Sequence, residues 1–111
     1  MTNSTPKIQD NLLHLTTTNH SFCQVDSTEW FAWLNTATRF RYFPTCRLRI
    51  NNHYSRPMQP ISVRKEQRRQ GFLWYAYRRV NGKLNKRYVG KTDTLTSERL
   101  DEIATELNTI W

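Results

Sequence analysis

The stretch from Trp74 to Lys91, WYAYRRVNGKLNKRYVGK, interleaves aromatic and cationic residues around a single Asn-Gly pair. Asn-Gly between two runs of β-prone residues is a strong hairpin signal, because both central residues of a type I′ turn need a positive φ. The pair predicts a two-residue turn at Asn81 and Gly82, with Val80 opposite Lys83.

This register sorts the side chains of the hairpin onto two faces, because successive residues of a strand point in opposite directions. The mostly basic face carries Trp74, Ala76, Arg78, Val80, Lys83, Asn85, Arg87 and Val89. The mostly apolar or aromatic face carries Leu73, Tyr75, Tyr77, Arg79, Leu84, Lys86 and Tyr88.

The segments on either side of the hairpin predict one more strand and a helix. Residues 61–71, ISVRKEQRRQG, read as an edge strand that runs into a charged turn. Residues 95–111, LTSERLDEIATELNTIW, begin with Thr96 as N-cap and carry one apolar stripe. The stripe consists of Leu100, Ile103, Ala104 and Leu107. We expect this helix to cover the aromatic face of a three-stranded antiparallel sheet, because that face offers more apolar area, and to leave the basic face open.

The N-terminal half is predicted to hold a tail, a short helix and two short strands. Residues 1–24 are rich in Thr, Asn and Ser and are interpreted as a flexible tail. Asp26 is the expected N-cap of a helix that turns Trp30 and Trp33 inward. The alternation in RFRYFP and CRLRI predicts strands, and residues 51–60, NNHYSRPMQP, read as a loop. Residues 25–111 thus form one α+β domain with an internal boundary near Met58, between parts 25–57 and 58–111.

Composition favours a polyanionic partner. The 111 residues include 17 Lys and Arg against 9 Asp and Glu, a net charge of +8. Between Ile61 and Lys91 ten cations face one acid, Glu66, so this segment alone carries +9. Such a concentration favours nucleic acid over an anionic membrane surface. No apolar run is long enough for a membrane span and no leader segment is present, so a cytoplasmic location is expected.

Seven residues are predicted to contact nucleic acid through the basic face or beside it. They are Arg64, Trp74, Arg78, Lys83, Asn85, Arg87 and Lys91. Lys and Arg would bind phosphates, and Arg78, Arg87 or Asn85 would reach base edges. Trp74 either stacks on a base or packs under the N-terminal part of the chain.

The sequence predicts no enzyme, cofactor or metal site. VGKT at 89–92 lacks the preceding glycine of a phosphate-binding loop and leaves a strand rather than entering a helix. His20 with Cys23 and Cys46 with His53 do not have the spacing of zinc fingers. No set of Ser, His and Asp stands out as a catalytic group.

The order of strand, basic turn, GFLWYAYRR, NGK, KRYVGKT and a capped helix resembles a known family over residues 61–107. This family is the arm-type DNA-binding domain of phage and transposon tyrosine recombinases, with related modules in bacterial regulators and mobile-element proteins. The resemblance implies a three-stranded sheet whose face enters the major groove. Because the chain stops at Trp111 without the separate catalytic domain, the resemblance implies the binding surface and not the recombinase activity.

Together these observations predict a non-enzymatic DNA-binding protein, an accessory or regulatory factor of bacteria or mobile elements, that uses a basic sheet face. Two alternatives remain open. The aromatic hairpin and the Trp-rich helix also suit a protein-interaction subunit of a larger complex. Exposed aromatic residues beside arginine also suit RNA binding, although DNA is the preferred partner.

Overall fold

The computed structural model describes residues 5–14, 21–44, 47–51 and 54–109, which form nine strands and two α-helices. The strands are β1 (Lys7–Gln9), β2 (Leu12–His14), β3 (Ser21–Gln24), β4 (Arg39–Phe43), β5 (Arg47–Asn51), β6 (Tyr54–Pro57), β7 (Ile61–Arg68), β8 (Gly71–Val80) and β9 (Lys83–Gly90). The helices are α1 (Thr28–Thr36) and α2 (Ser97–Asn108), and a 3-10 turn spans Thr92–Thr94. The α+β class predicted from the sequence is confirmed.

Within the described residues, seven of the strands form one mixed sheet in the order β3-β2-β1-β4-β7-β8-β9. β1 runs parallel to β4, and the other neighbours in the sheet are antiparallel. The predicted three-stranded sheet is therefore only one end of a larger one. β7 was expected at an edge but lies inside the sheet, because β4 pairs with its outer side.

The prediction of a flexible tail over residues 1–24 is wrong for β1, β2 and β3, which extend the sheet beyond β4. Ile8 and Leu13 lie opposite each other on β1 and β2 and are both 0% exposed. The turn between them consists of Asp10 and Asn11, which have φ values of 56° and 60°. Asp and Asn tolerate this left-handed conformation, so the pair forms a tight hairpin without glycine.

The predicted loop over residues 51–60 is also corrected. Asn51 ends β5, and Tyr54–Pro57 form β6, which pairs with β5 in a separate antiparallel hairpin. The chain then reaches the sheet through Gln59, whose backbone N–H and carbonyl both bond the side chain of Asn108 at the end of α2, at 2.8 and 3.1 Å. Residues 58–60 are thus tied to α2 immediately before β7 begins.

Both helices begin with a side-chain cap, but the cap of α1 differs from the prediction. Ser27 is its N-cap and accepts a hydrogen bond from Trp30 N–H at 3.2 Å. Asp26 instead adopts a φ of 73° and accepts hydrogen bonds from the backbone and hydroxyl of Ser97, at 2.8 and 2.7 Å. It therefore stabilises the start of α2 rather than that of α1. Thr96 is the N-cap of α2, as predicted.

The core lies between the sheet and the two helices. Trp30 of α1 is buried and donates its indole N–H to the carbonyl of Leu95 at 2.8 Å, which joins α1 to the segment before α2. The stripe of α2 predicted from the sequence is buried throughout. The buried side chains of the sheet share one face: Ile8, Leu13, Phe40, Tyr42, Ile61, Val63, Trp74, Ala76 and Val89. Both helices therefore pack on the same face, and the opposite face of the sheet is left open.

Candidate nucleic-acid interface

The hairpin of β8 and β9 has the turn and register that the sequence predicts. Asn81 and Gly82 have φ values of 51° and 80°, and Val80 pairs with Lys83. The register continues without interruption to the pair of Tyr75 with Tyr88. A shift follows between Trp74 and Tyr75, so that Trp74 lies opposite Gly90. The local geometry was thus predictable, whereas the choice of covered face was not.

The helices cover the face opposite to the predicted one. Trp74, Ala76 and Val89 are buried, with Trp74 at 0% exposure, whereas Leu84 and Tyr88 are 53% and 47% exposed. The prediction compared only the side chains of the hairpin itself. Neighbouring strands add four buried side chains to the Trp74 face: Phe40, Tyr42, Ile61 and Val63. Because the sheet buries its face as a whole, these residues decide which side the helices cover.

Trp74, Arg78 and Arg87 therefore do not lie on the open face. Trp74 belongs to the core and is closed to a base. Arg78 donates to the carbonyl of Leu107 near the end of α2 at 3.1 Å. Arg87 lies 3.9 Å from the carboxylate of Glu106, measured from Nε to Oε1. Both arginines thus interact with α2.

The other four predicted contact residues are separated from one another. Arg64 is exposed on the open face. Lys83 is exposed at the tip of the hairpin, where its carbonyl accepts a hydrogen bond from the Asn85 side chain at 3.2 Å. Lys91 is exposed just after β9 ends. Of the seven predicted residues, Arg64 is the one whose position on the open face the structure supports directly.

The open face is itself strongly basic. The strand register and the exposure of the side chains assign to it seven cations: Lys7, Arg39, Arg41, Arg64, Arg68, Arg79 and Lys86. Glu66 is the one acid at these positions among the described residues of the four strands β4, β7, β8 and β9. Four of the protein's nine acidic residues lie instead on α2, behind the sheet: Glu98, Asp101, Glu102 and Glu106. Because Arg78, Arg87 and Arg99 accompany these acids, the side of α2 is close to neutral and the excess of positive charge lies on the open face.

Tyrosine rings lie on β8 and β9, toward one edge of the open face. Tyr75 of β8 lies opposite Tyr88 of β9, and their ring centroids are 5.5 Å apart with an interplanar angle of 60°. Lys86 Nζ is 4.3 Å from the centroid of Tyr75 and 5.6 Å from that of Tyr77. The guanidinium of Arg68 is 5.1 Å from the Tyr75 ring. These distances are within the range of cation–π attraction, so rings and cations form one cluster.

Glu66 holds this cluster together. Its carboxylate accepts hydrogen bonds from Lys86 at 3.2 Å, from Arg68 and from the hydroxyl of Tyr77. Hydrogen bonding to Tyr75 and, to a smaller extent, the charge of Glu66 raise the pKa of the Arg68 guanidinium. One carboxylate thus orients two cations beside the tyrosines and leaves the open face with an excess of positive charge.

Two shallow depressions flank the tyrosine cluster. One, of about 710 Å³, is lined in part by Arg41, Arg64, Tyr77, Arg79 and Leu84. The other, of about 540 Å³, is lined by Arg68, Gln70, Leu73, Tyr75, Tyr88 and Lys91. Both combine cationic groups with apolar or aromatic surface, which suits a ligand with charged and flat parts. Lys91 thus reaches the rim of the open face.

Successive side chains of β7 point to opposite faces of the sheet, and Arg64 and Lys65 show the result. Arg64 is exposed on the open face, whereas Lys65 turns toward α1 and donates to the carbonyls of Leu34 and Asn35 at 2.8 and 3.4 Å. Its ammonium group lies 5.3 Å from the centroid of the Trp74 ring. Burial lowers the pKa of Lys65. The ammonium group of Lys65 therefore binds carbonyls near the end of α1 and adds no charge to the open face.

No group of three or more His, Cys, Asp and Glu side chains is arranged to hold a metal ion in the part of the chain that the structure describes. Of the residues considered as zinc ligands, His20, Cys46 and His53 lie outside the described residues. Cys23 is half-buried, and burial raises the pKa of its thiol. Among the described helices, none is both long and apolar enough to cross a membrane.

Comparison with known proteins yields one match to part of the chain. A family model described as a domain of unknown function, DUF6788, matches residues 60–104. Searches of curated proteins and of solved structures give no significant match. The matched segment begins one residue before β7 and ends within α2, so it contains the tyrosine cluster and the three strands that carry it, β7, β8 and β9.

Proposed function

We propose that this chain is a non-catalytic DNA-binding protein that contacts DNA through the open face of its sheet. The observation that carries the proposal is the grouping of seven Lys and Arg side chains on that face, where the described strands place one carboxylate, that of Glu66. A surface that carries mostly positive charge favours phosphate groups as ligands, because binding neutralises the cations and releases counterions from the nucleic acid.

The distribution of acids supports the same orientation. The acidic residues of α2 lie on the covered side, so the field of the protein is positive in front of the sheet and weaker behind it. A polyanion is therefore steered toward the open face during its approach. Trp74, for which the sequence left open stacking on a base or packing, plays no part in this contact, because it is buried.

Individual side chains support two kinds of contact. Arg41, Arg64 and Arg79 border one depression, and their planar guanidinium groups suit bidentate contact with phosphate. The tyrosines beside Lys86 and Arg68 offer flat surface to bases. The phosphate contacts supply most of the affinity, and the rings supply contact with the bases.

The resemblance of residues 61–107 to the arm-type domain of tyrosine recombinases belongs to this proposal, in a corrected form. The residues to which the resemblance assigned DNA contacts, such as Arg78 and Arg87, lie on the side of α2. We therefore assign the binding surface to their neighbours on the same strands, such as Arg79 and Lys86, which lie on the open face. We propose that the protein acts as a regulatory or accessory factor in the cytoplasm of a bacterium or as part of a mobile element.

The test is fluorescence anisotropy of labelled DNA at several salt concentrations. The wild type is compared with the triple variant Arg64→Gln/Arg79→Gln/Lys86→Gln, which removes three cations from the open face. The control is Lys83→Gln/Arg87→Gln, which changes two cations of β9 that the register places on the side of α2. Each lost phosphate contact is expected to reduce the slope of log affinity against log salt by roughly 0.7 for single strands to 0.9 for duplex DNA.

The proposal requires the triple variant to bind more weakly with a shallower salt slope, while the control retains the wild-type slope. An equal loss in both variants would contradict the assignment of the face. Absence of binding to DNA and RNA at low salt would overturn nucleic-acid binding and favour the alternative, a subunit that docks on an acidic protein. Urea denaturation of each variant verifies that it is folded.

A further inference from the structure

We propose that the open face binds single-stranded DNA in preference to duplex DNA, with unpaired bases stacked on the tyrosines of β8 and β9. This inference rests on the proposed function and names the form of DNA that the face accepts. It is carried by three observations: the width of the open face, the spacing of its rings and the cations that lie against those rings.

The width of the face disfavours entry into a duplex groove. Its cations and rings lie mainly on β4, β7, β8 and β9, which are side by side at one end of the sheet. With strands about 4.8 Å apart, the outer backbones of these four are separated by roughly 14 Å before side chains are added. The major groove is only about 12 Å wide and admits a two-stranded ribbon.

The spacing of the rings fits an unstacked strand. Tyr75 and Tyr77 are two residues apart on β8, so their Cα atoms are separated by roughly 6.8 Å. Bases in a stacked strand of B-DNA repeat at about 3.4 Å, half this distance. Bases held in a duplex cannot meet successive rings face to face, whereas a single strand can separate its bases and place one on each ring.

Tyr88 supplies most of the exposed stacking surface, and Tyr75 and Tyr77 are partly exposed beside it. Tyr88 is 47% exposed and lies beside Tyr75, and Leu84 on the same strand is 53% exposed. These groups form an apolar row along β9, next to Lys86. A ligand that offered only phosphates would leave this row in contact with water, whereas an unpaired base covers it. Stacking on aromatic side chains contributes to affinity for single strands of any sequence.

Cations placed against the rings provide for the phosphates of the same nucleotides. Arg68 and Lys86 both lie against Tyr75, at 5.1 and 4.3 Å, and Arg64 lies 5.6 Å from the ring of Tyr77. A base that stacks on one of these rings therefore brings its phosphate close to an arginine or lysine. The pairing of the Tyr75 and Tyr77 rings with cations is the combination that single-strand binding surfaces use.

The experiment compares three labelled oligonucleotides of one mixed sequence: single-stranded DNA, the corresponding duplex and single-stranded RNA. Anisotropy is measured for the full chain as wild type, Tyr88→Leu and Tyr75→Leu/Tyr88→Leu. The control is Phe72→Leu. Phe72 is an equally exposed aromatic residue of β8, at 56%, but it lies toward Lys65 on the other face. Leucine retains apolar area and removes the flat ring.

We expect the wild type to bind single-stranded DNA at least tenfold more tightly than the duplex. The double variant should lose roughly 10- to 100-fold in affinity for the single strand, with Tyr88→Leu in between, and should keep the wild-type salt slope and duplex affinity. Phe72→Leu should bind as the wild type does. Because Tyr88 is half exposed, its single variant remains informative if the double variant fails to fold.

Three results would overturn the inference in distinguishable ways. Equal or tighter binding of duplex DNA, unaffected by the tyrosine variants, would refute the preference for single strands but leave DNA binding by the open face intact. Tighter binding of RNA than of DNA, lost in the same variants, would reassign the ligand to RNA. Absence of salt-dependent binding to all three oligonucleotides would refute the proposed function itself.

Discussion

Substitution of Trp74 by Phe tests which face of the sheet the helices cover. The indole N–H donates to the hydroxyl of Thr92 at 3.0 Å, and the ring lies 5.6 Å from that of Phe40 in the core. Loss of the hydrogen bond costs about 1 kcal/mol. The smaller ring leaves a void of roughly 40 Å³, which costs about 1 kcal/mol more at ~24 cal/mol per Å³.

The free energy of unfolding of Trp74→Phe is therefore expected to be about 2 kcal/mol below that of the wild type. A domain of this size is stable by roughly 5–15 kcal/mol, so the variant remains folded. The assay is urea denaturation followed by far-UV circular dichroism, with the slopes compared to verify that both proteins unfold over the same surface area.

Tyr88→Leu is the matched substitution on the open face. Its ring is half exposed, so the unfolding free energy should change by no more than about 0.5 kcal/mol. The reasoning would be refuted if Trp74→Phe left the midpoint unchanged while Tyr88→Leu lowered it by an amount that corresponds to about 2 kcal/mol. That result would mean that the tyrosine face is the covered one, as the hairpin alone had suggested.

Three further substitutions test the supports of the fold. Gly90→Ala should lower the unfolding free energy by about 1–3 kcal/mol, because Gly90 has a φ of 146° and a Cβ there would collide with the hydroxyl of Thr94; an unchanged thermal midpoint would contradict this. Asp26→Ala should cost about 1 kcal/mol by removing the acceptor for Ser97, whereas Asp26→Asn should retain most of the stability in the same urea titration. Burial lowers the pKa of Lys65 in the folded protein below its ordinary 10.5. Between these two pKa values the unfolded chain binds more protons than the folded protein does. The free energy of unfolding therefore rises with pH in this range. The excess stability of the wild type over Lys65→Met should therefore increase as the pH rises toward 10.5, and a constant difference would argue against a desolvated ammonium group.

The parts of the fold that the sequence predicts correctly are those encoded by neighbouring residues. Asn81-Gly82 sets the turn and the register of β8 and β9, because the φ requirement of the turn is local. Thr96 and the stripe that follows it define α2, because the cap and the helical period lie within one segment. In both cases the physical cause spans fewer than about fifteen residues.

The features that sequence reasoning missed depend on distant parts of the chain. β1 pairs in parallel with β4, although more than thirty residues separate them in the sequence. β1 has only three residues, which are too few to show the alternating pattern of a strand. The choice of covered face depends on Phe40 and Tyr42 of β4, which a comparison within the hairpin leaves out. Since neighbouring residues of a strand lie on opposite faces, this one error moved the predicted site from Lys86 and Arg79 to Arg87 and Arg78.

A basic sheet face also has a simpler explanation, because charges on exposed strands prevent sheets from aggregating. Protection of this kind is needed at sheet edges and is achieved best with both signs interspersed. Here the cations extend across the interior strands β4, β7 and β8, and four of the nine acids lie on α2 behind them. The rings of Tyr75 and Tyr88 lie among these cations rather than under the helices. Solubility requires neither the separation of charge nor the exposed rings, whereas a polyanion with flat bases matches both, and for this reason we propose a nucleic-acid ligand for the open face.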